Sequence, residues 1–192
     1  LFSVYTCPLD QKSADIWSHN NYIVYVTEGR KIWHTTQGSY DLQAGSCVFI
    51  RRGAAIIEQF AGPGFCFYLF FVSDEFICEV LKTKTTALPS TEKKYYPVIH
   101  IESSEAVHAY FKSMLPYFNA PQVPDQSLLQ LKFRELILLL ADNKNNKELL
   151  CYFCNSLKSP QSVSLQTVME DNFCFNLKLE DFARLRYRSL SA

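Results

Sequence analysis

Apolar and polar positions alternate along the first third of the chain and recur at three- and four-residue spacing along the rest. The stretch "NYIVYVTEGRKIWHTT" (21–36) is two β-rich runs around Glu28-Gly29, which predicts a hairpin. From Gly38 to Val72 the chain continues as short apolar segments separated by Gly38, Gly45, Gly53 and Gly62-Pro63-Gly64. Many short strands with regular turn signals predict a sandwich or barrel.

After Val72 the period changes. Ser73 or Asp74 is placed to cap a short helix through Leu81, and the polar stretch 82–94, with Pro89, reads as a loop. From Ser103, Ala106, Val107, Tyr110, Phe111, Met114 and Leu115 follow helical spacing until Pro116 and Pro121. Asp125 caps "QSLLQLKFRELILLLADN" (126–143), which is apolar almost all the way round. Such a helix needs cover on more than one side, from its own chain or from a second subunit. The expectation is a two-fold dimer using Tyr110, Leu129, Leu136 and Leu139, with Lys132, Arg134 and Glu135 at its rim. Two further helices are expected around 147–156 and 163–172.

Composition narrows the function. With 48% hydrophobic residues in 192, a substantial core can form. A formal net charge of zero argues against a whole chain wrapped on nucleic acid. No apolar run approaches the ~20 residues of a membrane helix, and "FCFYLFFV" (65–72) reads as a buried strand. No signal peptide is read, and the start at Leu1 suggests a piece of a longer chain. Seven cysteines, at 7, 47, 66, 78, 151, 154 and 174, fit free thiols in a reducing cytoplasm better than a disulfide framework. Cys151 and Cys154 form a CxxC with no second ligand pair nearby, whereas structural zinc wants four ligands.

Catalytic signatures are missing from the sequence. His19, His34, His100 and His108 stand in no HxH or HExxH arrangement, and there is no GxSxG, Walker loop or GxGxxG. The β-rich third resembles a cupin: Gly45 and Arg51-Arg52-Gly53 match that family's glycine spacing. On that resemblance the metal ligands would fall on Tyr22, Ile56 and Phe60, with others near Ile16 and Ser18, and His19 is out of step. These side chains cannot form the usual N/O ligand set, so no metal, no cofactor and no enzyme activity are expected. The barrel interior could instead take a small, largely apolar effector. Tyr22, Val24 and Val26 alternate to one face, Phe49, Ile56 and Phe60 are expected to join them, and Trp33 and His34 are placed near the rim. The alternative is a barrel filled by these same side chains.

The chain closes with "NLKLEDFARLRYRSLSA" (176–192). Leu179, Phe182 and Leu185 share a helical face around Ala183, and Ser189 can cap a following helix, which is the helix-turn-helix plan. Lys178, Arg184, Arg186 and Arg188 outnumber Glu180 and Asp181 there, and basic groups at the turn would sit near phosphates. Taken with the barrel and helices, the chain resembles the AraC/XylS family of transcription regulators. "LKLEDFA" corresponds to the opening element of that family's DNA-binding domain and Ser189 to the serine that opens its first recognition helix, while Tyr187 stands where glycine is common.

The resemblance implies an α+β chain: a cupin-like sensor barrel (1–82), a helical linker and dimerisation region (83–160) and an incomplete DNA-binding domain (161–192). It implies a cytoplasmic homodimer that binds promoter DNA through Arg184, Arg186, Arg188, Ser189 and a missing C-terminal part, and that responds to a small apolar effector or a regulatory protein. A metal-dependent cupin enzyme, such as an isomerase or dioxygenase, and a stand-alone cupin-like interaction scaffold are the alternatives.

Overall fold

The chain is described by a computed structural model over residues 2–7, 13–60, 65–86, 96–118, 122, 124–158, 178 and 180. The first described third is all strand: β1 Phe2–Cys7, β2 Ser13–Ser18, β3 Asn21–Glu28, β4 Arg30–Thr35, β5 Gly38–Gln43, β6 Cys47–Ile50, β7 Gly53–Gln59 and β8 Phe65–Val72. Helix α1 (Asp74–Lys82), strand β9 (Val98–His100) and helices α2 (Glu105–Phe118), α3 (Gln126–Asp142) and α4 (Lys147–Lys158) follow. The strands form two sheets, ordered β1-β8-β3-β6-β9 and β2-β7-β4-β5.

Alternation along the strands divides the apolar side chains between two cores. Tyr22, Val24, Val26, Trp33, Leu42, Val48, Ile50, Ile57 and Phe67 meet between the sheets. Ile23, Phe49, Tyr68, Phe70 and Ile99 point out of the other face of the first sheet and pack under the helices. Strands β3 and β8 are therefore covered on both faces, which explains their nearly unbroken apolar sequence.

The hairpin predicted at Glu28-Gly29 does not form. Strand β3 is hydrogen-bonded on both edges, to β6 and β8, so no edge is left for β4, which pairs with β5 and β7 in the other sheet. A register shift between Val26 and Glu28 and a left-handed Gly29 (φ 83°) turn the chain from one sheet into the other. The sheet also gains a strand from beyond residue 82. Strand β9, in the stretch read as helical linker, pairs antiparallel with β6, with Phe49 opposite Ile99.

The helices follow their capping residues. The Ser73 hydroxyl accepts the Phe76 N–H at 3.2 Å, and Asp125 accepts the Ser127 N–H at 2.8 Å, so α1 and α3 start where the caps predict. Pro116 lies in the last turn of α2, and the helix runs on to Phe118. Stacked rings fasten α2 to the sheet, with Tyr25 and Phe111 centroids 4.3 Å apart and Tyr68 and Phe118 5.0 Å apart. The helix expected at 163–172 and the helix-turn-helix residues 179–192 lie outside the described residues, apart from the single position Glu180.

Candidate functional site

Tyr22, Val24 and Trp33 come together inside the barrel, each at most 5% exposed. Burial pushes the Tyr22 phenol well above its ordinary pKa, so it is a neutral hydroxyl. Trp33 is deep in the core rather than at the rim, with its indole N–H buried. His34, one residue on, faces outward and bridges Ser39 Oγ at 2.7 Å and Glu58 Oε2 at 2.8 Å.

The other three expected lining residues go elsewhere. Val48 and Ile50 take the inward positions of β6, so Phe49 points the opposite way, 5.0 Å from the Tyr152 ring and 6.1 Å from Phe153 on α4. Ala55 and Ile57 face inward on β7, which turns Ile56 to the outer face at 38% exposure. Phe60 is half-buried beyond the end of β7, beneath the Arg30 guanidinium at 4.9 Å. Among the described residues, no group of three His, Cys, Asp or Glu side chains is placed to hold a metal ion.

One lining residue escaped the sequence reading. Lys31 is 3% exposed on β4, two positions from Trp33 and on the same face, with its ammonium 4.9 Å from the Phe65 ring centroid. No carboxylate pairs with it among the described residues. The i, i+2 parity with Trp33 in "KIWH" is the signal that could have placed it. Beside Tyr22, at the mouth of the barrel, Thr35, Arg51, Arg52 and Pro97 border a cleft of about 30 Å³, room for a few water molecules.

The helical layer also sorts its residues in two directions. Tyr110 and Leu136, expected at an intersubunit face, are 2% and 0% exposed within a single chain: Tyr110 packs on Phe70 at 6.1 Å, and Leu136 joins Phe133, Ile137 and Leu140 in the core-facing stripe of α3. Leu129 and Leu139 are half-buried. The outward face of α3 carries a second apolar row, with Leu128 at 38% and Leu131 at 63% exposure beside Leu138 and Leu139. Leu131, Leu138 and Leu139 of this row line an open groove of about 500 Å³ flanked by Lys84, Arg134, Glu135 and Asp142. The flanking charges are tied down by Lys84–Asp142 (2.9 Å), Arg134–Glu79 (2.6 Å) and Lys132–Glu135 (3.0 Å). The DNA-proximal residues Arg184, Arg186, Arg188 and Ser189 lie outside the described residues.

The architecture is a packed two-sheet barrel under a helical layer, with polar groups at the mouth and on the outer helix face. The family model for the ExsA N-terminal regulatory domain matches residues 21–152, and the chain belongs to that family, the regulatory part of AraC-type transcription regulators. The fold is similar to that of ToxT from Vibrio cholerae. An apo ToxT variant of strain SCE256 is 12% identical with a TM-score of 0.56, over 98% of this chain and 70% of that one. Wild-type ToxT of the same strain, solved with an unsaturated fatty acid bound, is 10% identical with a TM-score of 0.53, over 100% of this chain and 75% of that one. No curated protein matches the chain significantly. No helix among the described residues is long and apolar enough to cross a membrane.

Proposed function

We propose that the chain is the sensing and dimerisation part of a cytoplasmic, non-enzymatic transcription regulator. It joins two copies through the outward face of α3, and promoter DNA is bound by the part of the protein that begins near residue 161, with Arg184, Arg186, Arg188 and Ser189 close to the DNA. The second apolar row of α3 carries this reading. Leu128 and Leu131 stay exposed on the side of the helix away from its buried stripe, beside Leu138 and Leu139, which pack in part on the core of their own chain. Its flanks carry both signs of charge, Lys84 and Arg134 against Glu135 and Asp142. A mixed-charge rim can meet itself across a two-fold axis, and paired half-sites in DNA call for that symmetry.

Sedimentation tests the reading directly. The wild-type chain is expected to be a dimer, and Leu131→Glu a monomer with an unchanged circular dichroism spectrum. A wild-type monomer at high concentration, or a Leu131→Glu dimer, rejects it.

A second reading concerns the effector, and Lys31 favours it. A buried ammonium is costly unless something anionic meets it. ToxT, a protein of similar fold, has been solved with an unsaturated fatty acid bound. For this chain the corresponding effector is an apolar molecule with a carboxylate head directed to Lys31, which adds a charge to the apolar ligand expected from sequence. A medium- or long-chain fatty acid should raise the melting temperature of the wild type and not that of Lys31→Met. Equal shifts in both proteins, or none in either, would remove this reading and leave a regulatory protein as the signal.

A further inference from the structure

The polar groups that join the barrel to α4 form a feature that neither dimerisation nor effector binding uses. Asn21, at the start of β3, is 2% exposed and engages its whole amide. Its Oδ1 accepts the Arg52 N–H at 3.0 Å, and its Nδ2 donates to Asp74 Oδ1 at 2.8 Å and to the Tyr152 hydroxyl at 3.1 Å. The Tyr152 hydroxyl donates to the same Asp74 oxygen at 2.5 Å. The other Asp74 oxygen meets the Arg52 guanidinium at 3.2 Å, with both side chains nearly nine-tenths buried. Four separate elements meet here: β3, the β6–β7 turn, the first turn of α1, and α4.

The same turn closes the mouth of the barrel. Arg51 and Arg52 border the cleft beside Tyr22, and its volume of about 30 Å³ leaves room for a few water molecules. An occupant the size of a fatty acid that enters beside Tyr22 displaces the turn. The turn is pinned through Arg52 N–H to Asn21 and through Arg51 N–H to the Pro97 carbonyl at 2.8 Å. Moving it takes partners from Asn21 and Asp74 together. In a buried, low-dielectric setting a half-satisfied polar network is worse than an intact one, so its members hold or release as a unit.

We infer that Asn21, Arg52, Asp74 and Tyr152 form a latch that couples the mouth of the barrel to α4, holding the helix while the mouth is closed and freeing it when the β6–β7 turn is displaced. Chain order puts α4 between the barrel and the proposed DNA-binding part, so the latch lies where a signal from one to the other would pass. The inference rests on the sensor reading for its trigger alone; the coupling itself needs no effector and no dimer.

Coupling between two sites is reciprocal, and native-state hydrogen exchange can read both ends. Tyr152→Phe keeps the ring against Phe49 and removes only the hydroxyl. It should speed exchange about tenfold in α4 and also in the 50–54 turn, with α2 and α3 unchanged. Arg52→Ala should loosen the same two segments from the other end, and Arg52→Lys replaces it should the alanine variant not fold. The double variant should be no looser than either single one, because the network is already broken. Arg30→Ala, which breaks the Arg30–Asp41 pair in the second sheet, should move neither segment. Loosening confined to α4 in Tyr152→Phe, or fully additive effects in the double variant, would overturn the latch. A chain that proves monomeric, or that binds no fatty acid, leaves these exchange patterns as expected.

Discussion

Lys31 holds its ammonium 4.9 Å from the Phe65 ring centroid, buried in the barrel between Leu42 and Gln59 of the neighbouring strands. The ring face offsets part of the desolvation cost of the charge, by about 0.5–2 kcal/mol. The remainder should appear as a stability deficit of the empty domain. Lys31→Met fills the same length with no charge and is expected to stabilise the chain by about 1–2 kcal/mol in urea unfolding. A destabilised Lys31→Met would mean that the ammonium is well paired in the free protein.

The two apolar sides of α3 should respond differently to truncation. Leu136 is fully buried, and Leu136→Ala should cost about 2–5 kcal/mol through lost contacts and a residual cavity. Leu131 is 63% exposed in one chain, and Leu131→Ala should leave the unfolding free energy of the monomer within about 0.5 kcal/mol. Dilution to monomer before the denaturant titration separates this from any loss of dimer. Equal losses at both positions would show that the outward row is part of the fold.

These two leucines also mark how far the sequence was legible. That α3 needs cover on two sides was readable, because leucines occur all around it. Which leucines face the core was not, since that phase depends on where Phe70 and the rest of the sheet sit beneath Phe133, Leu136, Ile137 and Leu140. The caps Ser73 and Asp125 were readable because a cap is a local interaction. The inward face of β3 was readable as far as Tyr22, Val24 and Val26 alternate. The parity of "CVFI" was not, because all four side chains are buried on one face or the other, and Phe49 went to the helices. In "GAAIIEQ" two adjacent isoleucines compete for one inward position, and Ile57 takes it. The latch was out of reach altogether: Asn21 and Tyr152 are 131 positions apart, and no local pattern links them.

Acid should weaken the fold through three carboxylates. Hydrogen bonding from Lys84 lowers the Asp142 pKa, hydrogen bonding from Ser127 lowers that of Asp125, and hydrogen bonding from Arg30 lowers that of Asp41. A pKa depressed in the folded state gives a contribution present above the unfolded value, near 4, that is lost as pH falls through the folded value. The melting temperature should therefore be flat in these groups above about pH 5 and fall below about pH 4. Asp142→Asn should flatten part of that fall, and the effect should shrink in high salt because the pair is exposed. An unchanged acid slope in Asp142→Asn would show that the Lys84 pair contributes nothing to stability.

Thiol chemistry offers the most direct check on the packing between sheet and helices. Cys47 is 3% exposed on β6, and burial pushes its pKa up to about 12, so at neutral pH it is a protonated, inaccessible thiol. Cys78 on α1 is also buried, and desolvation raises its pKa as well. Cys66 and Cys151 are only half-buried. Thiolate is the reacting species, so alkylation of the native chain at about pH 8 should label Cys66 and Cys151 before Cys47 and Cys78. Cys47 should be labelled only at the rate at which the helical layer opens, and that rate should rise with urea as the fold is weakened. Peptide mapping after timed alkylation gives the order of labelling. Early labelling of Cys47 in the native protein would mean that the helices leave this face of the sheet far more readily than the ring stacking of Tyr25 on Phe111 and Tyr68 on Phe118 allows.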